Sequence, residues 1–399
     1  MVRKKIATSQ LKPGMYVVEL NAGWMEHPFA RNKLLLDQED IIRIRESGIK
    51  EVTIDTERGL DTIVESLESE EIEETRQLEL LAGESPVLDG EALKKDDKEC
   101  AELAINHAVA AVRGLMDDVR IGNPLDLTVL EDVATEVARE VVANPATAIV
   151  VYHLRNTCEY TYAHSVRVAV LAVSCAHRMG LSGDICQKIA LGGLVHDIGK
   201  MCVRKEILQK PDKLTSVEMT HMREHVTLGK GLIKEGQLPP EALAVLLEHH
   251  ERFDGNGYPR QLTGTEISLA GRISAIADVY DAISSDRWYH KGLPPAAAIR
   301  KIHEWSKFHF DPEVTAHFIR SVGIYPVGSL VRLSNKRLAV VVEHKQSSPL
   351  FPRVLPVFDL HLKKAITKAI ELDLSGRRHI KIECHEDPLD WGINPDDYL

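Results

Sequence analysis

The chain has 399 residues, of which 44% are hydrophobic, and its formal net charge is −11 with histidine counted as neutral. This length and apolar fraction predict a globular protein of two or three domains. The acidic balance argues against a nucleic acid polymer as a partner, but it leaves room for a local basic pocket that holds a phosphorylated small molecule. We find neither the apolar run of a signal peptide nor a membrane-spanning stretch, so the sequence predicts a soluble, cytoplasmic protein.

Residues 1–60 are predicted to form a small α+β domain. Apolar and polar residues alternate around residues 12–20 and again at 52–55, which is the period of a half-buried strand. A helical pattern at 39–47 lies between these two segments. Residues 61–100 are acidic and polar, so we expect a solvated linker or helix there.

The longest regular pattern in the chain is helical and predicts one domain over residues 101–325. Apolar residues recur there every three or four positions, as at Val166, Ala169, Val170 and Val173. From residue 326 to 399 the period shifts to two, which predicts a β-rich C-terminal extension. The predicted fold class is therefore mainly α, with a small N-terminal α+β domain and a short C-terminal β segment.

Five histidines and two aspartates of the helical region lie on or beside apolar faces. They are His164, His196, Asp197, His225, His249, His250 and Asp278. An unpaired carboxylate such as Asp278 on an apolar helix is costly, so it requires a partner. Five imidazoles and two carboxylates are enough for two metal ions, since one carboxylate can bridge a pair.

The types of side chain in this set narrow the choice of metal. Imidazoles and carboxylates without a thiolate suit Fe, Mn, Zn, Ni or Co better than Cu(I) or an iron–sulfur cluster, and so many imidazoles disfavour Mg. A helical scaffold fits such a site, because side chains from several packed helices can converge on one internal point.

Several motifs in this region resemble those of a known family. They are His164, His-Asp-Ile-Gly-Lys at 196–200, His225, His-His-Glu-Arg-Phe-Asp-Gly-Asn-Gly-Tyr-Pro at 249–259 and Asp-Val-Tyr-Asp-Ala at 278–282. In this order they resemble the HD-GYP family of cyclic di-GMP phosphodiesterases, a branch of the HD metal-dependent phosphohydrolases. The resemblance spans about residues 157–318. Residues 6–57 look like the small domain of unassigned function that often precedes this catalytic domain.

The resemblance implies a role for each matching residue. One metal would be held by His164, His196, Asp197 and Asp278, and the second by Asp197, His225, His249 and His250, with Asp197 as the bridge. Asp197 and Lys200 are the implied catalytic residues, and Lys200, Arg287 and Tyr258 are the implied substrate-binding residues. The positively charged side chains of Lys200 and Arg287 would neutralise charge on a phosphodiester. The Gly-Tyr-Pro loop would present Tyr258 to the site or to a partner protein, with a simple helix-ending loop as the alternative.

By the same resemblance, the cofactors are two divalent metal ions per chain. Iron or manganese is favoured, and zinc, nickel or cobalt are alternatives. Some family members hold a third metal with a glutamate four residues before the first histidine, but that position here is Tyr160. We therefore expect a binuclear centre, which leaves the final product open between linear pGpG and GMP.

The function implied is hydrolysis of the bacterial second messenger cyclic di-GMP, a signal of biofilm formation, by a hydroxide that bridges the two ions. One alternative is a catalytically weak cyclic di-GMP sensor, or a module that docks to diguanylate cyclase domains through the Gly-Tyr-Pro loop. Another is an HD phosphohydrolase that acts on a different cyclic dinucleotide or nucleotide. A homodimer and the role of the N-terminal domain stay open.

Overall fold

The structure is a computed structural model, and the chain divides into two compact units, Met1–Thr75 and Arg76–Leu399. The residues that it describes are 3–8, 11, 15–19, 34–35, 40–41, 44, 51–55, 77–78, 95–144, 147, 160–208, 210, 212, 214–285, 292–343, 350–367, 369–377 and 379–399.

The first unit contains an antiparallel sheet with the strands β1 (Arg3–Ala7), β2 (Tyr16–Glu19), β3 (Leu34–Leu35) and β4 (Glu51–Asp55). The strand order in this sheet is β1-β4-β2-β3. Alternate strand residues such as Val17, Val52 and Ile54 are buried together with the helical residues Ile41 and Ile44. Because alternate side chains of a strand point to one face, this small core forms on one side of the sheet. The α+β character predicted for this part is confirmed.

The second unit is built mainly from helices. They are α1 (Lys95–Arg120), α2 (Thr128–Ala143), α3 (Tyr160–Arg178), α4 (Gly183–Val195), α5 (Lys205–Leu208), α6 (Ser216–Arg223), α7 (His225–Leu232), α8 (Pro240–Glu248), α9 (Leu269–Ser284), α10 (Pro295–Trp305), α11 (Pro312–Val322) and α12 (Pro388–Trp391). Side-chain oxygens satisfy free backbone N–H groups where several helices begin, as Ser182 does at α4 and Ser268 at α9.

Helix α4 lies at the centre of this unit, close to both α3 and α8. A Cβ atom added to Gly193 would lie 2.7 Å from the Cα atom of Ala169 on α3. A Cβ atom added to Gly192 would lie 2.7 Å from the Cβ atom of Val245 on α8. Larger side chains at these positions would push the helices apart, so the two glycines set how closely the three helices approach.

The C-terminal strands form a second antiparallel sheet. They are β5 (Leu330–Leu333), β6 (Arg337–Glu343), β7 (Arg353–Asp359), β8 (Lys364–Ala365), β9 (Leu372–Asp373) and β10 (Ile382–Glu386). The strand order is β10-β5-β6-β7-β8, and β9 also pairs with β7. Val331 and Val341 belong to the same hydrophobic core as the helices. The change from helix to strand near residue 326 therefore lies inside one compact unit, and the predicted fold class is confirmed.

Within the described part of the chain, we find no helix with the length and apolar character that a bilayer span requires.

Candidate metal centre

The fold brings together the seven predicted ligand residues from five helices. They are His164 on α3, His196 and Asp197 directly after α4, His225 at the start of α7, His249 and His250 directly after α8, and Asp278 on α9. The turn after Asp197 lies directly against α7, because a Cβ atom on Gly199 would be only 1.9 Å from the carbonyl oxygen of His225. This close approach places His225 beside Asp197.

The seven side chains form two groups, and within each group the potential ligand atoms lie within 4.8 Å of one another. One group is His164, His196 and Asp278, and the other is Asp197, His225, His249 and His250. Asp197 lies between them. Its Oδ2 atom is 3.6 Å from His164 Nε2 and 3.4 Å from His196 Nε2, while its Oδ1 atom is 3.4 Å from His225 Nε2. The two oxygens of one carboxylate thus face the two groups, as a bridging ligand requires.

Two atoms of the cluster lack a hydrogen bond in spite of their burial. Among the described residues, neither His196 Nε2 nor Asp197 Oδ1 has a hydrogen-bond partner, and both residues are 0% exposed. Leaving buried polar atoms unpaired costs free energy, so such atoms require an explanation. A divalent cation supplies one, because imidazole nitrogens and carboxylate oxygens are ligands for it. The donor set therefore fits a divalent metal site.

The orientation of the imidazole rings also fits this role. In three of them the Nδ1 atom donates a hydrogen bond to a backbone carbonyl, which can only accept: His196 to Gly193 at 2.8 Å, His225 to Met222 at 2.6 Å and His249 to Leu246 at 3.0 Å. The proton is therefore on Nδ1, and the Nε2 lone pair points into the cluster. The α-helix supplies these carbonyl partners, since each lies three residues before its histidine.

The ring of His164 is oriented by a buried ion pair instead. Its Nδ1 atom lies 2.7 Å from Asp281 Oδ2, and Asp281 accepts hydrogen bonds of 2.6 and 2.9 Å from Arg167. Arg167 is 0% exposed. Neither Arg167 nor Asp281 was predicted to have a role at the site, although Asp281 lies within the motif at 278–282. A signal was present, because an arginine one helical turn after His164 on an apolar helix requires a buried partner.

Burial lowers the pKa of three of the imidazoles, His225, His249 and His250, and that of His250 falls to about 3. His164 differs. Burial acts to lower its pKa, but hydrogen bonds to Asp278 and Asp281 outweigh this effect and raise it. The three lowered imidazoles are neutral at physiological pH, which is the state that binds a metal.

The two candidate carboxylate ligands are ionised. Burial acts to raise the pKa of Asp197, but the charge of Lys200 and the nearby imidazoles hold it well below its usual value. Burial acts in the same direction on the pKa of Asp278, and the hydrogen bond from His164 together with the neighbouring imidazoles lowers it. Neutral imidazoles and ionised carboxylates together form a set ready to bind cations.

The structure describes two of the three predicted substrate-binding residues, Lys200 and Tyr258. The Lys200 ammonium group contacts the Asp197 carboxylate and keeps 24% of its side chain exposed. The Tyr258 ring lies 4.6 Å from the His250 ring, measured between centroids. Arg287 lies outside the described residues.

The loop that carries Tyr258 is fastened to the end of α8. The buried carboxylate of Glu251 accepts hydrogen bonds from the backbone N–H groups of Arg260 at 2.7 Å and Leu262 at 3.0 Å. The backbone N–H of Tyr258 donates to the carbonyl of His250 at 3.1 Å. These contacts hold the Tyr258 ring against the candidate ligand His250.

A helical unit built around a buried cluster of histidines and aspartates places this chain in the class of HD-domain proteins. A family model described as an HD domain matches residues 150–314. A second one, described as a domain of unknown function (DUF3391), matches residues 3–129. The HD domain and the clustered side chains together indicate a site for divalent metal.

The similarity to individual known proteins indicates the family more specifically than the family models do. The chain is 41% identical over 378 residues to the cyclic di-GMP phosphodiesterase PA4108 of Pseudomonas aeruginosa, covering 94% of this chain and 90% of that protein. It is 38% identical over 162 residues to a cyclic di-GMP phosphodiesterase of Thermotoga maritima, covering 40% and 44%. It is 35% identical over 170 residues to the 3′3′-cGAMP-specific phosphodiesterase 2 of Vibrio cholerae, covering 41% and 33%. The chain belongs to the HD-GYP family of cyclic di-GMP phosphodiesterases, as its motifs predicted.

Proposed function

We propose that this protein hydrolyses cyclic di-GMP to linear pGpG with two divalent metal ions per chain. The observation that carries the proposal is the position of Asp197, whose two carboxylate oxygens face two separate groups of candidate ligands. The similarity to PA4108 over 94% of this chain supports the same activity and substrate.

The ligand sets follow from these two groups. The first metal would be held by His164, His196, Asp278 and Asp197 Oδ2, and the second by His225, His249, His250 and Asp197 Oδ1. Imidazole and carboxylate donors suit iron, manganese, zinc, nickel or cobalt. The resemblance to the HD-GYP family favours iron or manganese among them. When bound, the ions supply Lewis acidity that activates a water and stabilises charge on the phosphoryl oxygens.

The residues around the cluster have separate tasks. Lys200 lies beside Asp197 and is partly exposed, so its ammonium group can neutralise the scissile phosphodiester as negative charge develops there. The Tyr258 ring lies against His250, where it would contact the substrate. The proposal has four further parts: Arg287 as a second phosphate contact, docking to diguanylate cyclase domains, a homodimer and a cytoplasmic location.

The test is anaerobic purification and metal analysis, followed by incubation with cyclic di-GMP and Mn(II) or Fe(II). Products are resolved by chromatography for the wild type, for Asp197→Ala and for a control, Asp132→Ala, at an exposed position on α2. We expect about two metal ions per chain, and conversion to pGpG by the wild type and the control only. Turnover by Asp197→Ala contradicts the proposal, and GMP as the product corrects it.

A second candidate is supported by the similarity to the Vibrio cholerae enzyme, which is named as specific for 3′3′-cGAMP. The same assay with 3′3′-cGAMP in parallel separates the two substrates. A higher kcat/KM for 3′3′-cGAMP than for cyclic di-GMP replaces our assignment. Binding of cyclic di-GMP without turnover with either metal identifies a sensor instead.

A further inference from the structure

A second basic side chain, that of Arg223, lies beside the candidate metal centre and contacts the Tyr258 ring. Arg223 is the last residue of α6, two positions before His225. Its guanidinium carbon lies 5.0 Å from the centroid of the Tyr258 ring, within the range of a cation–π contact. The Tyr258 ring in turn lies 4.6 Å from His250. Arg223 is thus connected to the candidate ligands through one aromatic ring.

Arg223 differs from Arg252, Arg260 and Arg272 in having no carboxylate partner among the described residues. Arg252 pairs with Asp254 at 2.5 Å, Arg272 pairs with Asp311 at 2.5 Å, and Arg260 contacts Glu248. Within the described residues, Arg223 makes no ion pair, and it is exposed. In an acidic protein, a cation without a partner beside a site for an anionic substrate is available to bind that substrate.

The position of Arg223 also indicates which part of the substrate it contacts. Lys200 touches Asp197 directly and therefore lies where the phosphodiester bond would be cleaved. The contact of Arg223 with the cluster is to Tyr258, one ring away from His250. A cyclic dinucleotide carries two phosphodiester groups, so a second anionic group has to be accommodated outside the metal centre.

We propose that Arg223 binds the second, non-scissile phosphodiester of the cyclic dinucleotide. This inference rests on the proposed function. The guanidinium group presents its N–H donors in a planar fork that matches two phosphate oxygens. Contact with the Tyr258 ring restricts the arginine side chain before the substrate arrives, which lowers the entropic cost of binding. Arg223 is a binding residue that selects substrates with two phosphate groups.

The experiment compares two substrates on the full-length, metal-loaded protein. Cyclic di-GMP carries two phosphodiesters, and bis(p-nitrophenyl) phosphate carries one. The variants are Arg223→Gln, which removes the charge, Arg223→Lys, which keeps it, and the control Arg139→Gln, at an exposed arginine on α2. Metal content and thermal melting are measured for every variant, and both should equal the wild-type values because Arg223 is exposed.

For Arg223→Gln we expect the KM for cyclic di-GMP to rise roughly tenfold, the size of one lost hydrogen-bonded charge contact, with little change in kcat. Arg223→Lys should show a smaller rise, because it keeps the charge but loses the fork. The kcat/KM for bis(p-nitrophenyl) phosphate should stay at the wild-type value in all three variants.

An unchanged KM for cyclic di-GMP in Arg223→Gln overturns the inference while the proposed function stands. An equal loss on both substrates also overturns it, because Arg223 would then act at the scissile phosphate. If the wild type binds cyclic di-GMP without turnover, the proposed activity fails, and the Kd measured by calorimetry takes the place of KM in the same comparison. A wild type that neither binds nor cleaves it overturns both proposals.

Discussion

The buried pair of Arg167 and Asp281 should support both the stability of the helical unit and its affinity for metal. In Asp281→Asn the side chain keeps its shape and one acceptor oxygen but loses its charge. Arg167, which is 0% exposed, would then lose the ionised carboxylate that it now contacts. His164 would lose the carboxylate that now accepts its Nδ1 hydrogen bond at 2.7 Å.

The size of each effect follows from the contacts. Removing one partner of a buried ion pair costs about 3–5 kcal/mol. We expect about 3 kcal/mol less free energy of unfolding for Asp281→Asn, since the amide oxygen still accepts one hydrogen bond from Arg167. At about 2 °C per kcal/mol for a unit of this size, the melting temperature should fall by about 6 °C. Loss of the group that orients a metal-ligating histidine typically lowers metal affinity about 10- to 100-fold, and we expect a loss of that size for Asp281→Asn.

The assay is urea unfolding of metal-free protein followed by circular dichroism, together with calorimetric titration of Mn(II). The control is Asp132→Asn, which removes an exposed carboxylate of α2. The double variant Arg167→Met with Asp281→Leu separates the two roles, because replacing both charges by apolar side chains should restore stability but leave metal binding weak. Asp281→Asn with wild-type stability and wild-type Mn(II) affinity refutes this reasoning.

Two further predictions concern close packing and pH. Gly199→Ala should weaken metal binding and lower the free energy of unfolding by about 3 kcal/mol, because its Cβ atom would lie 1.9 Å from the carbonyl oxygen of His225. The control Gly231→Ala, on helix α7, meets nothing within 4 Å and should be neutral or stabilising, and equal results for the two variants contradict the prediction. Acidification of the metal-free protein from about pH 7.5 to about pH 5.5 should lower its free energy of unfolding by about 2 kcal/mol. The reason is that the three imidazoles with lowered pKa take up protons more readily in the unfolded chain than in the folded one, and the raised pKa of His164 opposes only part of this loss. Urea titrations at both pH values measure the loss, His250→Gln should reduce it, and equal or higher stability at the lower pH argues against the prediction.

The sequence predicted the fold class because the apolar period of each long segment is a local property. The period of 3.6 in residues 101–325 and the period of two after residue 326 are visible without any tertiary information. Strand β1 was missed, since Arg3, Lys4 and Lys5 interrupt its alternation and its pairing partner is the distant strand β4. That the C-terminal strands share a core with the helices was equally invisible, because period does not reveal which element packs against which.

For the candidate site, the sequence by itself determined the types and order of the seven side chains and, through their motifs, the family. Only the tertiary structure decided that the two oxygens of Asp197 face different groups, that Arg167 pairs with Asp281, and that Arg223 has no such partner among the described residues. The physical reason is distance along the chain. Arg167 and Asp281 are 114 positions apart, and helix packing alone brings them within 2.6 Å of each other.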